Sequence, residues 1–189
     1  FVGTPYDPDP MGEYVTKSTI VADEHVDCMY LSFRALELSL SVSPDEAVSV
    51  ALDKRFITRG KLDSRGSVVN YDDRFQYGED MLESGKWGRG ITLELGETTE
   101  IKGSRGRDKV KIISKKMMLE CLSGSECSSK LKSGDFIFFI KSPEKRKVGE
   151  IVGHIGIIKR EAISHQPSAI SNAIKEDVYL IHASGSKNK

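Results

Sequence analysis

Three side chains in this sequence could together perform nucleophilic chemistry: the thiol of Cys28 and the imidazoles of His154 and His182. A cysteine nucleophile needs a base to take its proton. The base in turn needs a third group to fix its tautomer and orientation. Cys28, His154 and His182 supply one candidate for each role. Cys28 stands in Val26-Asp27-Cys28-Met29-Tyr30-Leu31-Ser32-Phe33-Arg34-Ala35-Leu36-Glu37-Leu38. Its dense apolar residues, with Ser32, Arg34 and Glu37 at helical spacing, predict a helix from Cys28 to about Leu40. Asp27 suits the N-cap, because its carboxylate can accept backbone N–H groups that have no helical partner. Cys28 then lies in the first turn, at the positive end of the helix dipole, where a thiolate is stabilised and the thiol pKa lowered. The competing reading is a small buried hydrophobe, a common fate of an unpaired cysteine.

The two histidines shift that balance. His154 stands in Gly153-His154-Ile155-Gly156-Ile157-Ile158 and His182 in Val178-Tyr179-Leu180-Ile181-His182-Ala183, both strand-like apolar runs. A lone histidine of this kind is more often a satisfied core residue, since buried polar groups need partners. Two of them on successive strands, beside a thiol at a helix start, make a better case for chemistry. His25, on the approach to Cys28, is a weaker alternative base, and His165 falls in a polar stretch and is expected to be solvated.

The elements that must position these groups are helices first and strands after, an α+β order. Ser43 as N-cap, Pro44, Asp45 and Glu46 begin a second helix that should end near Lys54. Residues 58–76 are expected to form a long loop and Asp80–Ser84 a short helix. Ile91-Thr92-Leu93-Glu94-Leu95 alternates like a strand, and Gly96, Gly103 and Gly106 then mark a polar, basic surface loop. Phe136–Ile140 predicts a buried strand. Residues 160–177 are a polar connection between the last two strands. Asp135, after Gly134, is expected to stabilise a turn.

Composition sets limits. Lys plus Arg equals Asp plus Glu at 28 each, so the net charge is zero and a nucleic-acid footprint is not expected. The 189 residues suit one domain. The longest apolar run is strand-sized, so no membrane span is predicted. The chain begins at Phe1, which points to an upstream segment removed or lying outside it. Cys121 and Cys127 flank a short polar loop; they could pair in an oxidising compartment or stay reduced. In the first case Cys28 is the unpaired thiol.

The order of five segments adds a family resemblance. Gly3-Thr4-Pro5-Tyr6, Val26-Asp27-Cys28, Leu131-Lys132-Ser133-Gly134-Asp135-Phe136-Ile137-Phe138-Phe139, Gly153-His154-Ile155-Gly156-Ile157 and Ile181-His182-Ala183-Ser184 resemble, in that order, motifs of the NlpC family of papain-like cell-wall cysteine peptidases. Tyr71-Asp72-Asp73-Arg74-Phe75-Gln76-Tyr77, with Trp87 and Ile91-Thr92, resembles the N-acetylmuramoyl-L-alanine amidase-like branch, which has a histidine in place of Gln76. The family's Asp-Cys-Ser-Gly is Asp-Cys-Met-Tyr here.

The resemblance implies a papain-like NlpC-type α+β fold, with the nucleophile at a helix N-terminus and helices packed on an antiparallel sheet. It implies a single catalytic domain over 1–189, open to being a fragment at both ends, with an insertion at about 56–130. Cys28 would attack an amide carbonyl, His154 would serve as base and then acid, and His182 would orient His154. The Cys28 backbone N–H would help stabilise the oxyanion. Substrate-binding roles would fall to Tyr6, Asp27, Met29, Arg74 and Tyr77. Arg74 suits a stem-peptide carboxylate, although an ion pair with Asp72, Asp73 or Asp80 is the favoured expectation for it. Trp87 could be a sugar platform or core.

The implied reaction is cofactor-free and metal-free hydrolysis of a stem-peptide amide in peptidoglycan or a muropeptide. The bond is either γ-D-glutamyl to diamino acid or lactyl to L-alanine. The implied setting is a monomer, periplasmic or secreted, in a bacterial envelope. A zinc-binding module using Cys28, His154 and His182 is the alternative, but a structural site wants four protein ligands. A non-catalytic wall-binding domain is a third reading. Acyl transfer is disfavoured, because those relatives commonly place His before Cys.

Overall fold

The structure, a computed structural model, describes residues 3–7, 20–124, 126–162 and 176–185. Residues 163–175, which include His165, and the chain beyond Gly185 lie outside the described residues, while 160–162 and 176–177 of the expected polar connection are strand. Two compact units emerge, one of Phe1–Arg89, Phe138–Ile155 and His182–Lys189, the other of Gly90–Ile137 and Gly156–Ile181.

In the first unit, helix α1 spans Cys28–Ser39. Asp27 is extended and accepts from the Tyr30 N–H at 2.7 Å, which satisfies a donor the helix itself cannot. Helix α2 spans Pro44–Lys54, with Ser43 accepting from the Glu46 N–H at 3.2 Å. Helix α3 spans Gly78–Glu83, slightly ahead of the expected Asp80–Ser84, because the Asp80 carboxylate reaches back to the N–H groups of Gln76 and Tyr77 at 3.0 Å each.

Tyr30 and Leu31 of α1 pack with Val26 and Ala183. Ile20, Ala51 and Phe56 form a second cluster. Arg34 and Glu37 are also buried. Glu37 receives Arg34 at 2.8 Å and Arg55 at 2.5 and 2.8 Å, while Arg34 also holds Asp23 through two bonds. The Arg55 guanidinium lies 5.1 Å from the Tyr30 ring centroid. Such a network is tolerable inside only because every charge has a partner.

In the second unit, β1 (Thr99–Lys102) and β2 (Lys109–Ile112) form an antiparallel hairpin with Lys102 opposite Lys109. The surface loop expected from Gly96 to Gly106 thus holds a strand, β1, and only its end is the hairpin's turn, where Arg105 and Gly106 take positive φ of 56° and 85°. Ile91–Leu95 is not a strand: Thr92–Glu94 is a 3-10 turn. Ile91 and Leu95, four residues apart, face one core, while Leu93 between them is exposed, and that is a helical division of surface. Helix α4 spans Lys115–Leu122, an element the sequence pattern did not suggest. Cys121 and Cys127 are joined in a disulfide with Cα atoms 5.0 Å apart. Cys121 packs with Leu95, Leu131 and Ile158.

Strands β3 (Phe136–Ile140), β4 (Val152–Ala162) and β5 (Glu176–Ile181) form an antiparallel sheet in the order β3-β4-β5. Ile157 stands opposite Ile181. Strand β3 is less buried than its apolar run suggests, with Phe139 exposed. Asp135 stabilises the turn before β3 by accepting from the Lys132 N–H at 2.7 Å. The chain is thus an α+β protein with antiparallel sheets.

Candidate active site

Cys28 is the first residue of α1 and is half-buried. The backbone N–H groups of Ile155, Met29 and Cys28 itself hydrogen-bond its sulfur and favour the thiolate. Burial and the neighbouring Asp27 carboxylate act the other way and win, so the thiol pKa is pushed up. This reverses the lowered value expected from helix position. The reason is one of magnitude: a helix terminus contributes about 0.3–1 kcal/mol to a charge, and losing water around that charge costs more.

The chain before α1 brings Tyr6 to the sulfur. Val26 donates to the Pro5 carbonyl at 3.0 Å and Asp7 donates to the Val26 carbonyl at 3.1 Å, forming a parallel bridge between Tyr6 and Val26. The Tyr6 hydroxyl pKa is raised by burial, then by the negative charges of Cys28, Asp27 and Asp7. The Tyr6 ring also rests on the backbone of Gly185, where a Cβ would come within 2.5 Å of it.

His154 lies on β4, next to the Ile155 that donates to Cys28. The start of β4 is pinned by Glu79. This carboxylate is 2% exposed and accepts from the Ile151 and Val152 N–H groups at 3.1 and 3.2 Å. Gly78 permits that approach, since a Cβ there would lie 2.6 Å from Val152 Cγ1. His154 Nε2 is 2.9 Å from His182 Nδ1, and the two rings meet edge-on. Phe139 stands beside the His154 ring, with centroids 5.8 Å apart. Burial, then the neighbouring His182, lowers the His154 pKa, so its imidazole is neutral near pH 7. His182 is exposed and sits just past the end of β5, not within a strand. Its neighbour Ala183 packs against α1 and anchors it there.

The remaining sequence candidates are placed differently. The Asp27 carboxylate caps α1, and Met29 is half-buried in its first turn. Arg74 does not form the expected ion pair. Its guanidinium lies 3.5 Å from the Tyr71 ring centroid and donates to the Tyr71 carbonyl at 3.2 Å. Asp73 turns to the Thr58 N–H and hydroxyl, and Asp80 caps α3. Tyr77 leads into α3 with its N–H on Asp80. Trp87 is part of the packing: its indole N–H donates to the Lys54 carbonyl at 3.1 Å and its ring meets Phe33 at 5.4 Å. His25 is exposed in the turn before α1. Glu79 and Gly185 carry no signal in the sequence, because neither stands in a motif or at a spacing that reveals its neighbour, and the motif and strand that hold Phe139 do not show that its ring meets His154. Among the described residues, no group of three or more His, Cys, Asp or Glu is arranged to hold a metal ion, and no helix is long and apolar enough to cross a membrane.

What the chain resembles can now be set beside this geometry. No family model matches it, and no curated protein does. Among solved structures it is similar to a Bacteroides fragilis protein designated a candidate xylanase, with a TM-score of 0.54 and 18% identity over 96% of this chain and 82% of that one. It is also similar to an N-acetylmuramoyl-L-alanine amidase from Bacteroides uniformis, with a TM-score of 0.47 and 14% identity over 96% of this chain and 80% of that one. At such identity the first likeness is one of fold.

Proposed function

We propose that this protein is a cysteine-dependent peptidoglycan hydrolase of papain-like, NlpC-type construction that cleaves an amide bond of the stem peptide. The observation that carries the reading is the 2.9 Å contact between His154 Nε2 and His182 Nδ1, on the strand whose next residue donates its N–H to Cys28 Sγ. The ordered motifs around Cys28, His154 and His182 support the substrate class. The Cys121–Cys127 disulfide supports an exported protein, since such bonds persist in oxidising compartments.

In the proposed reaction His154 carries its proton on Nε2 and donates it to His182 Nδ1, leaving Nδ1 of His154 as the acceptor. The thiol is protonated at rest. As Sγ bonds to the amide carbonyl carbon, the thiol proton passes to His154 Nδ1. His182 keeps the imidazolium oriented. The Cys28 backbone N–H stabilises the oxyanion, with Tyr6 beside it. Collapse breaks the C–N bond, and the leaving amine takes the proton from His154. Water, deprotonated by His154, then hydrolyses the thioester and restores the thiol. Met29 lines the cleft, and Arg74 and Tyr77 contact substrate carboxylates.

Glycosidase chemistry needs paired carboxylates about 5–9.5 Å apart. Beside Cys28 the Asp27 carboxylate is taken up in capping α1, and a thiol accompanied by a histidine pair suits acyl chemistry, which disfavours xylan as substrate. The test is digestion of purified muropeptides and, separately, xylan, with fragment masses read for wild type and Cys28→Ala. Loss of the stem from the sugar or a cut after D-glutamate, absent in Cys28→Ala, is the expected result. Intact muropeptides with wild type, or cleavage that survives Cys28→Ala, overturns the reading.

A further inference from the structure

The hairpin β1–β2 and the start of α4 concentrate charge in a chain that is neutral overall. Between Thr99 and Lys116 there are seven Lys and Arg against Glu100 and Asp108. Two features of this stretch oppose folding locally. Lys102 stands directly opposite Lys109 across the ladder, a like-charge pairing that destabilises a hairpin. Lys115 and Lys116 occupy the first turn of α4, which has no acidic residue there, at the end of the helix dipole that repels cations. Relief is small. Lys109 meets Glu100 at 2.9 Å and Lys116 meets Glu120 at 3.9 Å, while Lys102 and Lys111 make no ion pair among the described residues. Lys102, Lys109, Lys111, Lys115 and Lys116 are all exposed.

Packing does not demand these lysines. Ile101, Val110 and Ile112 are half-buried on one face of the hairpin, and Glu100, Lys102, Lys109 and Lys111 share the other. The charged face therefore offers a ladder of cations about 5 to 7 Å apart. The stretch exposes no large apolar or aromatic side chain. It thus lacks both the rings on which nucleic-acid bases stack and the apolar wedge with which a surface helix or loop enters a lipid layer. Lysine is a point charge suited to phosphate, without the planar fork that reads carboxylates in pairs.

We infer that the outer face of this hairpin, with Lys102, Lys109 and Lys111, docks a linear phosphodiester-linked polyol polymer of the cell envelope. The choice of an envelope polymer rests on the wall-hydrolase reading above. The docking itself does not involve Cys28, His154 or His182.

The test is binding of poly(glycerol phosphate) to the full chain, titrated at several salt concentrations, for wild type and Lys102→Gln/Lys109→Gln/Lys111→Gln. Wild type should bind at low salt, with log K falling linearly against log salt. The triple variant should lose roughly tenfold or more in affinity and show a slope shallower by about 2, by the counterion release of three contacts. Unchanged far-UV dichroism and unchanged muropeptide cleavage would show that fold and site are intact. Failure of wild type to bind at low salt overturns the proposal whatever the muropeptide assay shows, as does equal binding by the triple variant. Tighter binding of single-stranded DNA with the same number of phosphates overturns the choice of partner. Binding as expected with no cleavage of any muropeptide leaves the docking in place and removes the hydrolase reading instead.

Discussion

The imidazoles of His154 and His182 face each other through Nε2 and Nδ1 at 2.9 Å, so the proton between them decides whether His154 Nδ1 is left as an acceptor. With the proton on His154 Nε2, Nδ1 of His154 can accept. With it on His182 Nδ1, the neutral His154 carries its proton on Nδ1 and cannot. His182 thus matters as an acceptor. His182→Asn, which retains an acceptor, should keep kcat within about tenfold of wild type, whereas His182→Ala should lose roughly 10–100-fold. The loss should lie in kcat more than in KM. Equal activity in His182→Ala would remove the orienting role.

Cys28 and His154 shift so that both are neutral at rest: the thiol pKa is raised and the imidazole pKa lowered. Alkylation by iodoacetamide follows the thiolate, so its rate should still be climbing above pH of about 8.5, the ordinary thiol value. On the acid side, His154 stays unprotonated below its ordinary value of about 6.5, so amide cleavage should persist into mildly acidic buffer. An alkylation rate already level at pH 7 would reveal a preformed thiolate pair and contradict this assignment.

Glu79 joins α3 to the strand that carries His154. Glu79→Ala leaves the Ile151 and Val152 N–H groups buried without their acceptor, at a cost of about 1–3 kcal/mol for each. The urea midpoint should fall accordingly. Glu79→Gln keeps one carbonyl acceptor and should recover part of the loss. A variant as stable as wild type would mean that water or another group satisfies both donors.

The Glu37 carboxylate is fully buried between Arg34 and Arg55. Glu37→Leu should destabilise by roughly 3–5 kcal/mol because it strands the buried Arg55 and takes one partner from Arg34, which keeps Asp23. Arg55→Leu in the same background should restore part of that, since replacing a whole buried pair by apolar residues is often neutral. A double-mutant cycle on the denaturation free energy tests this, and strictly additive losses would count against coupling.

Local chemistry made part of this molecule legible in advance. The caps at Asp27 and Ser43 depend on a side chain and the backbone a few residues ahead, so both helix starts can be read directly. The strand that carries His154 could also be read locally, from Ile155, Ile157 and Ile158 around it. Arg34 and Glu37 were less transparent: helical spacing places charges on one face but does not reveal that Asp23 and Arg55 come to meet them. Ile91–Leu95 misled because five residues of alternating type satisfy a strand and a single helical turn equally, and the core chose the spacing of four. The Cys28 pKa depended on how deeply the sulfur is covered, which no spacing reports. Arg74 found an aromatic face, because its acidic neighbours in sequence were engaged elsewhere.

The contact of Tyr6 with Gly185 has a consequence in time. Tyr6 is synthesised long before Gly185, and Ala183 must arrive before α1 is covered. A polypeptide still growing between these points therefore holds Cys28 without His154, His182 or the floor under Tyr6. Bonds between residues so distant in order also close slowly. On the proposed function, the cluster around Cys28 is complete only once Gly185 has been made, and a chain interrupted before that point would have nothing with which to cut.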